Sequence, residues 1–318
     1  MKLQTKIPLI PKEHQIDYQS KTVMLGSCFV ENMAEKMEYY KFHTLQNPFG
    51  IIFHPIAIEK LITRAVNNDL FTSDDLFYFN EQWHCFEVHS SISTSEKEDL
   101  LDILNNKLKA FRDYLLSASH IILTFGTAWV YQYRDTNTIV ANCHKVPQNK
   151  FIKEILSVEE ITKSTKNIIS IIKGINLKVN IILTISPVRH LKDGFVENTR
   201  SKAHLISAIY DITIGKRSMN GVEEFPSYEI MMDELRDYRF YKEDLIHPNK
   251  TAITIIWDAF SKVWISEETK EIQKEIAVIQ AGLLHQPFNP ESKAHRSFLS
   301  DLEIKIEKLQ TRYPEINF

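Results

Sequence analysis

The chain has 318 residues, with 38 Lys and Arg against 41 Asp and Glu and a formal net charge of −3. That balance excludes a generic polyanion-binding surface. A content of 43% hydrophobic and 25% charged residues excludes wholesale disorder.

In chain order, the hydrophobic pattern alternates short apolar runs with longer amphipathic ones. It predicts a strand over 22–25, ended by Gly26, and a helix over 29–41 with Phe29, Met33, Met37 and Tyr40 at helical spacing. An edge strand over 42–45 and a helix over 55–67, with Pro55 in its first turn, come next. Residues 78–89 read as a local hairpin or insertion. Ser95 is expected to open a helix to about 116, with Glu98 completing a capping box. Residues 120–125 (HIILTF) form the clearest buried strand, ended by Gly126, and 131–146 a hairpin insertion. A helix over 158–173, ended by Gly174, leads to a second buried strand over 179–185, stopped by Ser186-Pro187. A helix over 198–214, a weak strand over 222–225 and a helix over 249–264 after Pro248 complete the pattern. Charged helical sequence dominates from Ser266 onward.

Strand–helix alternation of this kind predicts an α/β fold: a three-layer α/β/α sandwich on a mainly parallel sheet of about five strands, near 22, 42, 120, 180 and 222. The expected division is a domain over 1–265 and a helical C-terminal extension over 266–318, packed on it or serving a partner. In such sheets ligands bind at the carboxyl ends of the strands, where the strand order reverses.

The three cysteines, Cys28, Cys85 and Cys143, have no CxxC spacing, which argues against a zinc knuckle or a dithiol motif. Their sparse, odd number fits a reducing compartment. The apolar stretch from Ile7 to Ile10 is too short for a signal segment, and no run of about 18 apolar residues occurs. The expectation is a cytoplasmic protein with no membrane and no nucleic-acid partner.

Two short segments could carry chemistry. Gly26-Ser27-Cys28-Phe29 sits between the first strand and a helix, and a small nucleophile there meets free N–H groups and a partial positive charge. That setting is expected to lower the Cys28 pKa. Asp244-Leu-Ile-His247-Pro248 precedes the last helix of the domain; a carboxylate three residues ahead of a histidine can orient it as a general base. Taken singly, each has a plainer reading. Ser27 would cap a helix over a small buried thiol, and Asp244 would cap a turn beside a half-buried histidine.

The combination, in this order, resembles the SGNH/GDSL hydrolases. More closely, Leu25-Gly-Ser-Cys-Phe-Val-Glu-Asn32 resembles the motif of the GSCFA family. Asn47-Pro-Phe-Gly50, Thr124-Phe-Gly-Thr-Ala-Trp129, Asn142-Cys-His-Lys145, Ser186-Pro-Val-Arg-His190 and Arg236-Asp-Tyr-Arg-Phe-Tyr241 are similar to the same family. The likeness runs from about Val23 to Trp264. It implies an SGNH/flavodoxin-like sandwich and an ester hydrolase or acyltransferase acting on an acylated carbohydrate or small ester; no cofactor is expected, and the mixed spacing of Asp233, Asp237 and His247 argues against a metal site. His247 would take the nucleophile's proton and Asp244 would fix the imidazole tautomer.

Two departures matter. GSC replaces the superfamily's GDS; aligning the glycines makes Cys28 the nucleophile, whereas a one-residue slip makes it Ser27. Only one of the two can point into the site, and the thiol, intrinsically more nucleophilic near neutral pH, is favoured. The superfamily's Gly-x-Asn-Asp block is here Gly126-Thr-Ala-Trp129, which lacks the asparagine oxyanion donor. Asn142 or Asn47 is then the substitute, or backbone N–H groups of Cys28 and Gly50 form the hole. Losing such a donor typically costs about 10²–10³ in rate, so the alternative function is a non-catalytic ligand-binding protein on the same fold. Gly26, Gly50 and Gly126 are expected to admit the acyl carbonyl.

Arg189 and His190 follow the fourth strand and either bind an anionic substrate group or form a solvated loop pair. His144-Lys145 is expected near the site mouth. Trp129, Tyr131 and Tyr133 either stack on a sugar ring or pack their hairpin. Arg236 and Arg239 with Asp233 and Asp237 read as an ion-paired surface. The acyl group, the acceptor and the oligomeric state are left open.

Overall fold

Three strands are buried because their runs are apolar, β1 (Lys21–Gly26), β5 (His120–Phe125) and β9 (Asn180–Ile185), and two shorter, half-buried strands flank them, β2 (His43–Gln46) and β10 (Val222–Glu224). In the computed structural model, which describes residues 4–215 and 218–318, they pair in parallel in the order β10-β9-β5-β1-β2. Leu25 lies beside Leu123, and Leu123 beside Leu183. This is the expected parallel sheet of five strands, with β2 at one edge and β10 at the other.

Side chains alternate across the sheet. Val23, Leu25, Ile121, Leu123, Phe125, Ile181, Leu183 and Ile185 enter one apolar core. That core is covered by α2 (Pro55–Asn67), α3 (Lys97–Ser117), α4 (Val158–Ile175) and α5 (Phe195–Thr213). Met24, Ile122 and Ile182 enter a second core under α1 (Cys28–Tyr39) and α7 (Lys250–Trp264). A single turn, α6 (Ser227–Glu229), follows β10. The C-terminal helices α8 (Lys270–Leu283) and α9 (Lys293–Arg312) bury Ile272, Ile276, Ile279, Leu302 and Leu309 in the second core. No helix among the described residues is long and apolar enough to cross a membrane.

After β1 the chain crosses to β2 on one side, then returns to β5 on the other. The carboxyl ends of β1 and β5 therefore flank the reversal of strand order, where parallel α/β sheets leave a crevice.

Several local expectations change. Ser95 does not cap α3, which starts at Lys97 with no side-chain cap at Glu96. Thr94 is paired with Trp83 by two backbone hydrogen bonds of 2.7 and 3.3 Å, so the chain is still extended where the box would form. A capping box does form at Ser157, whose Oγ accepts from Glu160 N–H while Glu160 accepts from Ser157 N–H. Gly174 does not end α4, which continues to Ile175.

Two insertions flank the sheet. One is the hairpin of β3 (Leu76–Phe79) and β4 (Gln82–Cys85). The other is a three-stranded sheet of β6 (Trp129–Tyr133), β7 (Thr138–Val140) and β8 (Phe151–Ile155), whose third strand the sequence pattern missed. Tyr133 packs on Phe86 and Phe151, with ring centroids 4.8 and 5.5 Å away. Trp129 and Tyr131 both lie near Lys153 of the same sheet, and Trp129 Nε1 also donates to Glu197 O of α5 at 3.3 Å. His144 is buried, and its Nε2 lies 2.7 Å from Cys85 O and 3.1 Å from Val88 O. It ties the two insertions together instead of lining a mouth.

Candidate active site

β1 ends in Gly26 because nothing larger fits. Its φ is 141°, and a methyl group there would lie 2.1 Å from Thr124 O of the neighbouring strand. Ser27 continues the turn, donating its N–H to Thr124 O at 3.2 Å. Its extended backbone makes it the N-cap of α1, and its Oγ accepts from Phe29 N–H at 3.3 Å. Ser27 is 1% exposed. Cys28 is the first helical residue and is partly exposed.

Gly126, at the end of β5, is crowded by the same turn. A methyl group on it would come 2.9 Å from Phe53 Cβ, 3.0 Å from His190 Nε2 and 3.3 Å from Ser27 Cβ. Three segments distant in sequence thus meet at the carboxyl ends of β1, β5 and β9. His190 Nε2 is buried there without a hydrogen-bond partner. Burial, followed by the charges of Lys202 and His247, pushes the His190 pKa down to about 3.

Asp244 and His247 form a closed local turn before α7. Asp244 Oδ1 accepts from the N–H groups of Ile246 (2.8 Å) and His247 (3.0 Å), and Oδ2 lies 2.7 Å from His247 Nδ1. These backbone donors, then the ring, hold the Asp244 pKa at about 2, so the carboxylate is ionised at neutral pH. With Nδ1 committed to Asp244, Nε2 is the ring nitrogen open to a reacting proton. The two side chains are 44% and 39% exposed. The turn is pinned to the loop after β9: Arg189 N–H donates to Ile246 O (3.2 Å) and Arg189 Nη1 to Leu245 O (3.0 Å). His190 is the next residue, so these bonds bring the dyad to the strand ends. Among the described residues, no hydrogen bond joins His247 to Ser27 or Cys28.

The expected lowering of the Cys28 pKa is overturned. The thiol is raised above its ordinary value, by burial first and by Glu31 next. Glu31 lies one turn along α1, and together with desolvation it outweighs the helix N-terminus and the charges of Lys202 and Lys242.

Of the two candidate asparagines, Asn47 lies at the end of β1. Its Oδ1 accepts from Gly26 N–H at 2.9 Å, which holds the carboxamide against the end of β1, and its Nδ2 is buried without a partner. Asn142 lies in the second insertion, where its Oδ1 accepts from His144 N–H at 2.8 Å. The Gly50 N–H is taken by Asn47 O (2.8 Å) and the Gly126 N–H by Phe53 O (2.7 Å), so neither is a ready donor. Arg189 borders a cavity of about 440 Å³ that Tyr228, Tyr238 and Tyr241 also line. Its guanidinium lies 5.6 Å from the ring centroids of Phe195 and Tyr241.

Sequence reasoning missed Lys202 of α5. It is 1% exposed, and its Nζ donates to Gly126 O and Ser186 O, both at 2.7 Å. A signal was available: Lys202 lies in phase with Asn198, Leu205 and Ile209 on the buried stripe of α5. A charged residue in that phase marks either a misread helix or a buried polar site.

Residues 21–260 match the family model described as the GSCFA family. Residues 276–318 match that described as the GSCFA domain protein, C-terminal domain. No curated protein matches the chain.

Proposed function

The chain belongs to the GSCFA family, and from that premise we propose that it is an acyl-transfer enzyme of the SGNH/GDSL kind. It acts as an ester hydrolase or acyltransferase on an acylated carbohydrate or small ester. The observation that carries this reading is the Asp244–His247 pair, closed at 2.7 Å and tied to the loop that places His190 beside Ser27.

In this mechanism Cys28 is the nucleophile. Ser27 is more deeply buried and is engaged as the helix cap. The raised thiol makes a base necessary: His247 Nε2 takes the Cys28 proton as the sulfur bonds to the acyl carbon. Asp244 holds the tautomer and offsets the imidazolium charge. The developing oxyanion is met by the Cys28 N–H, which as a helix-start group has no intrahelical acceptor. His247 then returns the proton to the departing alkoxide, leaving a thioester on Cys28. A water or an acceptor hydroxyl, deprotonated by His247, attacks that thioester, and the sulfur leaves with the proton. The cavity beside Arg189 suits an anionic or sugar portion of the substrate.

The rival reading, a ligand-binding protein without turnover, draws on the raised Cys28 pKa. An ester panel that includes p-nitrophenyl acetate and acetylated sugars separates the two. We expect turnover, loss of turnover in Cys28→Ala, and an acyl adduct on Cys28 in quenched reactions. Absence of turnover across the panel, or turnover undiminished in Cys28→Ala, overturns the proposal.

A further inference from the structure

A buried lysine with no carboxylate in contact is costly, because burial strips the ammonium of its water. Among the described residues Lys202 is buried in this way, and its Nζ donates to two backbone carbonyls. Those carbonyls belong to Gly126 and Ser186, the residues that directly follow β5 and β9. Gly126 abuts both Ser27 and His190 Nε2, so the ammonium lies directly behind the turn that presents Cys28. The Tyr228 ring of α6, 5.5 Å from Nζ, covers it from the segment after β10. A methionine would fill the same stripe without the desolvation cost, so the charge itself needs a reason.

We propose that Lys202 is the buried counter-charge of the candidate site, a positioning residue that acts through Cys28 by favouring its anionic sulfur. The inference rests on Cys28 being the reacting group. The charged groups facing Cys28 are Glu31 from α1, Lys202 from α5 and Lys242 from the loop before α7. Those facing Lys202 are Cys28, Glu229 and the His190 ring. Burial draws the Lys202 pKa down to about 7, and Cys28 and Glu229 oppose that change. The coupling is reciprocal: a lysine charge that favours the thiolate is itself favoured by it.

The test is the pH profile of Cys28 alkylation by iodoacetamide on the full chain, resolved from Cys85 and Cys143 by peptide mass spectrometry. In that reaction the thiol loses its proton to solvent, a sulfur–carbon bond forms and iodide leaves. Lys202→Gln keeps a donor for the strand-end carbonyls but removes the charge; Lys202→Met removes both. We expect both variants to slow Cys28 alkylation below about pH 7, where Lys202 still holds its proton, by about tenfold for each pH unit that loss of the charge raises the thiol midpoint, and the profiles to converge at higher pH, where wild-type Lys202 is neutral. A folded Lys202→Gln with the wild-type profile overturns the proposal and leaves Lys202 as a staple between strand ends. If neither variant folds, the lysine Cε resonance of Lys202 is followed in wild type and Cys28→Ala. A lower midpoint in Cys28→Ala supports the coupling, and an unchanged midpoint overturns it. Neither readout needs ester turnover, so an inactive but coupled Cys28 refutes the enzyme reading alone.

Discussion

His190 Nε2 and Ser27 Cβ both close on Gly126, at 3.0 and 3.3 Å from where a side-chain carbon would stand, although the three residues lie on three different loops. That convergence at the ends of β1, β5 and β9 makes the position of Gly126 critical. Gly126→Ala must push on Phe53, His190 and Ser27 together. We expect it to depress turnover and lower the melting temperature. Gly174→Ala is the control: it lies inside α4 with nothing within 4 Å of the added methyl, and it should stabilise the fold by about 0.5–1 kcal/mol. Equal melting temperatures for the two variants would contradict this packing.

Asp244→Asn should separate orientation from capping. The asparagine oxygen can still accept from Ile246 and His247 N–H, so the turn survives. Its amide can face Nδ1 and favour the wrong tautomer, and it cannot offset an imidazolium. Turnover should fall by up to about 10⁴-fold with little change in melting temperature. A variant with wild-type turnover removes Asp244 from the mechanism and leaves a Cys28–His247 dyad.

Ser27 and Cys28 should fail differently. Ser27→Ala removes the α1 cap and should cost about 1 kcal/mol of stability while the folded fraction stays active. Cys28→Ala should keep the fold and lose turnover. Activity retained by Cys28→Ala but abolished by Ser27→Ala reverses the assignment of the nucleophile.

Lys202 should leave a signature in stability against pH. Its folded value of about 7 lies below its ordinary 10.5. Between these values the unfolded chain holds the proton and the folded chain does not, so this group makes stability rise with pH across that window. Its penalty is complete below about 7 and vanishes above 10.5. Denaturant melts at several pH values, wild type minus Lys202→Met, should therefore show a positive slope between about pH 7 and 10. A flat difference would mean that Lys202 keeps its proton in the fold.

The sequence by itself determined whatever is decided within a few residues or by a run of one character. The runs VMLG, HIILTF and NIILTI are apolar enough to be only buried strands, and their alternation with amphipathic stretches specified the parallel sandwich. The Asp244–His247 turn was legible because both partners lie three residues apart. The tertiary structure decided what depends on groups far apart in the chain. Thr94 is held extended by Trp83, so Ser95 never caps α3. Asn47 rather than Asn142 lies at the end of β1, because Gly26 N–H anchors its carboxamide while His144 N–H occupies the other. The direction of the Cys28 pKa followed from burial, which a helix start alone does not reveal. Lys202 stood in the buried phase of its helix from the outset. Its ties to Gly126 and Ser186 span 76 and 16 residues, and only the packed sheet brings those strand ends under one ammonium.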